Sequence, residues 1–332
     1  MAGDSGTRRL DAAVRERFSW SWGRARDQIR GGKIAVDGET VLDIGREVAA
    51  GAEIVYTESA RRPREEDRLL PPSAIVHVDR EVAVVDKPPF LLTVPWERGD
   101  RPTLDQLLRT VLTRRGKSTG EARGPGKVEL HVVHRLDRNT SGLLVFARTL
   151  VARDRLKEQF KEHSAHRRYL ALVHGRVGSA ATLASHLVTD RGDGLRGSKE
   201  NVPRRLQARL GSGKQAVTHV EVIESFAGAT LVWCRLETGR TNQIRIHLSE
   251  AGHPLVGETT YLRDYVGTPI AAPRLMLHAA ELGFVHPGTL DAVRFESPMP
   301  AEMAALVEAL RKGGPPGEEG LRYKWRRYPQ QE

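Results

Sequence analysis

HRLDRNTSGLLVFAR, His134 to Arg148, places a polar stretch around Asp137 between two apolar runs, Val128–Val133 and Leu143–Phe146. The runs read as strands and the polar residues as the turn that joins them. A turn aspartate ordinarily hydrogen-bonds its own backbone and does nothing else. Here Arg135, Arg138, Asn139, Thr140 and Ser141 crowd the same turn, next to segments that look buried. Polar groups in that position need partners, and a functional cleft supplies a reason for them.

Working outward, Ile75–Val78 and Val82–Val85 read as strands, and Thr103 caps a helix striped by Leu104, Leu107, Leu108, Val111 and Leu112. Residues 114–127 have no apolar face and read as an exposed loop. Downstream, a helix carries Leu156 and Phe160. Strands follow at Tyr169–Val173, Val217–Ile223 and Leu231–Leu236. Ile244, Leu248 and Ala251 mark another helix, and Met303, Leu306, Val307 and Leu310 a last one. Strands and helices mixed in this way predict an α+β fold, with a mixed, largely antiparallel central sheet and flanking helices.

The first residues form a separate pattern. Leu10, Ala13, Val14 and Phe18 fall at helical spacing, and Ser21 caps a short helix that Gly31-Gly32 ends. Ile34 and Val36 alternate before Asp37-Gly38, a hairpin signal, and Ile54–Tyr56 reads as a strand. The expected organisation is a small α/β unit over 8–57, a charged linker over 58–72, a large domain over 73–311, and a basic, aromatic tail over 312–332.

At 332 residues the chain exceeds what one core usually fills, in keeping with two domains. Its formal net charge is +10, and Arg8–Lys33 carries eight basic against three acidic residues. Asp37–Glu53 is the reverse, with five acidic residues and one arginine, so folding can present a polyanion with one basic face. A single cysteine excludes an internal disulfide and a cysteine-rich zinc site. No apolar stretch is long enough to span a membrane, which with the missing signal core predicts a cytoplasmic protein.

Other motifs fail. GDSG at 3–6 precedes any His or Asp partner, against the His–Asp–Ser order of the proteases it echoes. GKST at 116–119 would need its leading glycine at Val111. The pairs His131/His134 and His163/His166 lack the spacing or cysteine company of a metal site, so no metal is expected.

HRLDRNTSGLLVFAR closely resembles the catalytic motif of pseudouridine synthases of the ribosomal-large-subunit family, the RluA type. VVDKPPFLLTV (84–94), RRYLALVHG (167–175) and LETGRTNQIRIHLSEAGHPLVGETTYL (236–262) resemble further motifs of that family in the expected order. RLMLHAAELGFVHP (274–287) and FESPMP (295–300) resemble its closing elements. The N-terminal unit resembles the RNA-binding domain of ribosomal protein S-four.

The resemblance implies isomerisation of uridine to pseudouridine in an RNA chain, ribosomal or transfer, by a monomer needing no cofactor. It assigns the catalytic carboxylate to Asp137, its basic partner to Arg245 with Arg240 as second choice, and the base-stacking tyrosine to Tyr169. Arg135 resembles the arginine that enters the RNA stack when the target nucleotide flips out. Arg24, Arg26, Arg30 and Lys33 are the expected phosphate contacts of the small unit, and Arg240 and Asn242 are expected RNA contacts of the large one. The match departs at Asn242, where the family usually has His, so any contact made by that imidazole is in question. The rival reading is a non-catalytic RNA-binding or ribosome-assembly protein on the same fold. A metal-dependent hydrolase would need a ligand cluster that the sequence does not offer.

Overall fold

The structure, a computed structural model, describes residues 7–49, 51–60, 70–95, 102–119, 128–262 and 265–314. GDSG, most of the expected linker, the second half of the 114–127 segment and the basic tail lie outside the described residues. The chain divides into two compact units between Leu69 and Leu70.

The small unit runs β1 (Thr7–Arg9), α1 (Leu10–Phe18), α2 (Trp22–Arg30), β2 (Ile34–Val36), β3 (Glu39–Thr40), β4 (Glu47–Ala49) and β5 (Ile54–Tyr56). The Ser21 hydroxyl accepts the Arg24 N–H at 3.2 Å and so caps α2, as its position before the helix requires. Asp37 and Gly38 both take positive φ, 50° and 78°, which is the two-residue turn that a right-twisted hairpin prefers. Leu10, Ala13 and Val14 of α1 and Ala25 and Ile29 of α2 close over Ile34, Val36 and Ile54 in one core.

The large unit begins with β6 (Ile75–Val78), β7 (Val82–Lys87), α3 (Leu104–Thr119), β8 (His131–Val132), β9 (Ser141–Ala147) and α4 (Leu150–Lys161). It continues through β10 (His166–His174), β11 (Ala181–Val188), β12 (Gly197–Ser198), α5 (Arg204–Gln207), β13 (Lys214–Phe226) and β14 (Ala229–Leu236). It closes with α6 (Gln243–Glu250), β15 (Leu277–Val285), β16 (Ala292–Glu296) and α7 (Ala301–Arg311). Among the described residues, eleven strands make one sheet in the order β12-β11-β13-β14-β10-β15-β9-β7-β6, with β16 on β15 and β8 on β9. The pairings are antiparallel apart from β9 with β15, where Ser141 and Gly142 run parallel to His278 and Ala279.

Side chains alternate across this sheet. Ala83 and Val85, Leu144 and Phe146, and Tyr169 and Ala171 face α3 and α6. Val82 and Val84, with Leu143 and Val145, face α4 through Leu156. Leu170 and Leu172 face Met303, Leu306 and Val307 of α7. Because both faces are covered, β9 is buried throughout and reads as an uninterrupted apolar run.

Three sequence expectations change. Helix α3 continues to Thr119, so residues 114–119, read as loop, are helical. The strand read at Val128–Val133 is only His131–Val132. Strands β11 and β15 went unread. The first, ATLASHLV, mixes Thr, Ser and His among small apolar residues without a regular alternation, and the second, LHAAELGFV, has a helix-leaning composition that its place between β10 and β9 overrides.

Candidate active site

Asp137 stands in the loop between β8 and β9, and the loop is tied down on several sides. Thr93 grips its neighbour Leu136 twice, its hydroxyl donating to the Leu136 carbonyl at 2.9 Å and accepting the Leu136 N–H at 3.2 Å. The Thr140 N–H closes the turn onto the Asp137 carbonyl at 3.1 Å. Gly142 follows with φ 111°, and a Cβ there would lie 2.3 Å from the Ala279 carbonyl oxygen. Only glycine lets β9 approach β15 so closely, and that approach fixes where the loop enters the sheet.

Lys87 ends β7 fully buried, and its Nζ donates to the carbonyls of Leu91 (2.8 Å), Pro88 (3.0 Å) and Arg138 (3.1 Å). One ammonium thereby joins the loop after β7 to the loop that carries Asp137. Burial pulls the Lys87 pKa down to about 7, with the Asp137 charge pulling the other way. The sequence reading named no role for this residue. Its signal was a lysine two residues past the apolar run Val82–Val85, after Asp86.

Burial raises the Asp137 pKa above the usual carboxylate value. Opposing that are the charges of Arg245, Arg135 and Lys87, in that order, and the main-chain N–H of Asn242. Tyr169 lies close enough to feel the same carboxylate. It follows a bulge between Arg168 and Tyr169 in the β10–β15 ladder, an irregularity of the kind that redirects side chains. Burial pushes its phenol up to about 12, with Arg167 opposing and Asp137 adding to the rise. At neutral pH the hydroxyl stays protonated.

Arg245, on α6, acts on Asp137 through its charge while its hydrogen bonds go elsewhere. Its Nε and Nη2 donate to the two Glu258 oxygens at 2.8 and 2.7 Å, and Nη1 donates to Asn242 Oδ1 at 2.9 Å. The guanidinium also lies 5.1 Å from the Tyr261 ring centre. Glu258 is buried and accepts the N–H groups of Thr259, Thr260 and Tyr261. Burial works to raise its pKa, yet Arg245 and these N–H groups hold it below the ordinary range. Glu258 and Tyr261 lie inside the 236–262 box, but nothing in their spacing told that they would hold Arg245.

Arg240, the second choice for pairing with Asp137, instead sends its Nε to the Gln215 carbonyl at 2.9 Å, within β13. Arg135 is exposed at the loop surface. In the small unit, Arg24 is exposed and lies over Trp20 at 4.8 Å, Arg30 is exposed and Lys33 half-buried. Arg26 differs, since its Nε is bonded to the buried Asp11 at 3.0 Å.

His134 Nε2 accepts the Val145 N–H at 3.0 Å, and burial together with Arg167 lowers its pKa to about 3, so the ring is neutral. His166 is paired with Glu281 at 2.8 Å. Among the described residues no group of three or more His, Cys, Asp or Glu could hold a metal ion, and no helix is long and apolar enough to cross a membrane.

Residues 81–250 match the family described as RNA pseudouridylate synthase, and residues 8–54 match the S4 domain. The chain belongs to the pseudouridine synthase family. Members of this family are RNA isomerases, and this synthase carries an S4 RNA-binding domain ahead of its catalytic unit. It is 34% identical over 302 residues to an uncharacterized RNA pseudouridine synthase, YlyB, of Bacillus subtilis, covering 89% of this chain and 91% of the relative. It is 33% identical over 318 residues to the ribosomal large subunit pseudouridine synthase D of Vibrio parahaemolyticus, covering 92% and 91%. In fold, the synthase is similar to human RNA pseudouridylate synthase domain containing 4, with TM-score 0.56 at 21% identity over 72% of this chain and 93% of that one.

Proposed function

We propose that this synthase isomerises specific uridines in structured RNA, ribosomal RNA of the large subunit foremost, with Asp137 as the catalytic carboxylate. What supports the reading is the surroundings of Asp137, a carboxylate in a partly desolvated loop acted on by Arg245, Arg135 and Lys87 and close to Tyr169. The C1′–N1 bond breaks, the uracil turns while held, and C5 bonds to C1′. C5 gives up a proton and N1 gains one, so no atoms or electrons are exchanged with a cofactor.

Asp137 either attacks C1′ or takes a proton from the sugar, and both routes need it ionised. Arg245 favours that ionised form in a site where burial opposes it. Tyr169 stacks on the base, because a phenol pushed up to about 12 is a poor proton acceptor at neutral pH. Exposed Arg135 enters the stack vacated by the flipped nucleotide, where a planar cation replaces part of the lost stacking. Arg24, Arg30 and Lys33 hold phosphates, with Arg26 a weaker contributor because Asp11 engages it. The enzyme acts in the cytoplasm as a monomer, its catalytic domain spanning 73–311.

Mapping pseudouridine across all cellular RNA with and without this protein tests the proposal. The expected result is the loss of one or a few sites in large-subunit ribosomal RNA. An unchanged map would leave RNA binding or ribosome assembly as the better account, and a lost site in transfer RNA would reassign the substrate.

A further inference from the structure

Asn242 sits where the backbone turns into α6, with φ 58° and ψ 18°, a left-handed conformation that few side chains accept. Asparagine is one of them, because its short polar side chain bonds locally. Its Oδ1 accepts Arg245 Nη1 at 2.9 Å and its Nδ2 donates to the Tyr261 hydroxyl at 3.1 Å. The orientation of the amide follows from the partners, since a guanidinium has only donors to offer. Glu258 holds Arg245 by Nε and Nη2, so Asn242 supplies the third grip on the guanidinium, at Nη1. The main-chain N–H of the same residue acts on Asp137.

We propose that Asn242 is the positioning residue of this active site: its left-handed main chain and its side-chain amide together direct Arg245 toward Asp137 and tie both to Tyr261. The amide offers one acceptor and one donor at a fixed separation. A neutral imidazole offers the same complement, one ring nitrogen accepting and the other donating. Asn in place of the family's usual His therefore keeps both bonds, and it removes a group that would titrate near pH 6.5. Aspartate would keep only the acceptor and would put a second negative charge beside Asp137.

The inference rests on the reaction proposed above, and the test separates the two. Asp137 is faced by Arg245 and Asn242 from α6 and its start, Arg135 from its own loop, Lys87 from β7, Tyr169 from β10, and Tyr261 from the segment after Glu258. Single-turnover rates across pH are measured for the full chain carrying Asn242→Gly, Asn242→Val or Asn242→His, alongside RNA affinity and thermal unfolding. Gly keeps the left-handed main chain and loses both side-chain bonds, and its rate should fall about tenfold, the worth of a hydrogen bond to a charged group. Its acid limb should move to higher pH, because Asp137 loses part of the Arg245 charge that opposes its protonation. Val also disfavours the main-chain conformation and should lose roughly a hundredfold.

Asn242→His should stay within about threefold of the natural protein at pH 8 and acquire a new loss near pH 6.5, where a protonated ring can no longer accept from Arg245. RNA affinity should change by no more than a few fold throughout. A natural protein that forms no pseudouridine removes the functional reading itself. A natural protein that is active, with a Gly variant equally fast or slower but with an unmoved acid limb, overturns the role of Asn242. The Gly variant is the least perturbing of the three, so it decides the matter even where Val fails to fold.

Discussion

Asp11, in the small unit, and Asp137, in the large one, are both carboxylates set among arginines, and their chemistry diverges. Asp11 is bonded directly to Arg26 Nε at 3.0 Å and to Arg9 Nε and Nη2 at 3.3 Å. Burial pushes its pKa up, but those bonds and charges win and hold it below the ordinary value. Asp137 feels Arg245, Arg135 and Lys87, yet Arg245 spends its hydrogen bonds on Glu258 and Asn242, and burial wins. A charge pair at 4 Å is worth about 4 kcal/mol at an effective dielectric near 20. What separates the two aspartates is therefore the direct bond as much as the nearby charge. An aspartate bonded to its arginines has its lone pairs occupied. Asp137 instead senses an arginine held by others and accepts the Asn242 main-chain N–H.

The largest effect should come from Asp137→Asn. It preserves shape, removes the charge, and should lower turnover at least about a thousandfold with RNA affinity changed only a few fold. Substantial pseudouridine formation by a clean preparation would end the assignment. Arg245→Met comes next, with turnover down more than about tenfold because the carboxylate loses the largest charge that favours its ionised form. On the proposed role, activity needs ionised Asp137, is present above its pKa, and is lost as pH falls through it. Losing Arg245 raises that pKa further, so the acid limb moves to higher pH and part of the rate returns on raising pH. A flat pH response would mean that Arg245 orients groups rather than tuning charge.

Replacing Arg24, Arg30 and Lys33 together by Ala should make the slope of log affinity against log salt shallower by about 2 units. Adding Arg26→Ala should change that slope less than any one of the three does, since Asp11 already occupies its Nε. A salt series of RNA binding measures both, and an unchanged slope would move the phosphate contacts elsewhere. The smallest effect belongs to Asp11→Asn, with about 1 kcal/mol of stability lost, because Arg9 is exposed and Arg26 partly so, and no loss of turnover. Asp11 has a depressed folded pKa, so its contribution is present above the unfolded value of 3.8 and lost as pH falls through the folded one. Thermal unfolding of the two proteins should therefore converge in acid. A gap that persists there would assign the effect to packing.

Much of this was legible in sequence. Period and punctuation showed α1, α2 and the Asp37-Gly38 hairpin, because local residues alone decide a cap, a stripe or a positive-φ turn. The same holds for Asp137, whose crowded polar turn between apolar runs is a local pattern. β15 escaped because its composition leans helical, and only pairing with β10 and β9 makes it a strand. Lys87 escaped because a lysine's partners are carbonyls, which every residue has, so no spacing announces them.

The sequence by itself determined the two units, the α+β character, the family resemblance and the crowded polar turn that carries Asp137. All of these rest on residue types and short-range order. Only the tertiary structure decided which arginine does what: Arg245 held by Glu258 and Asn242, Arg240 turned to Gln215, and Arg26 engaged with Asp11. An arginine reads the same wherever it stands in a string. Its role is set by which acceptors folding brings within about 3 Å, and those lie on other elements of the chain.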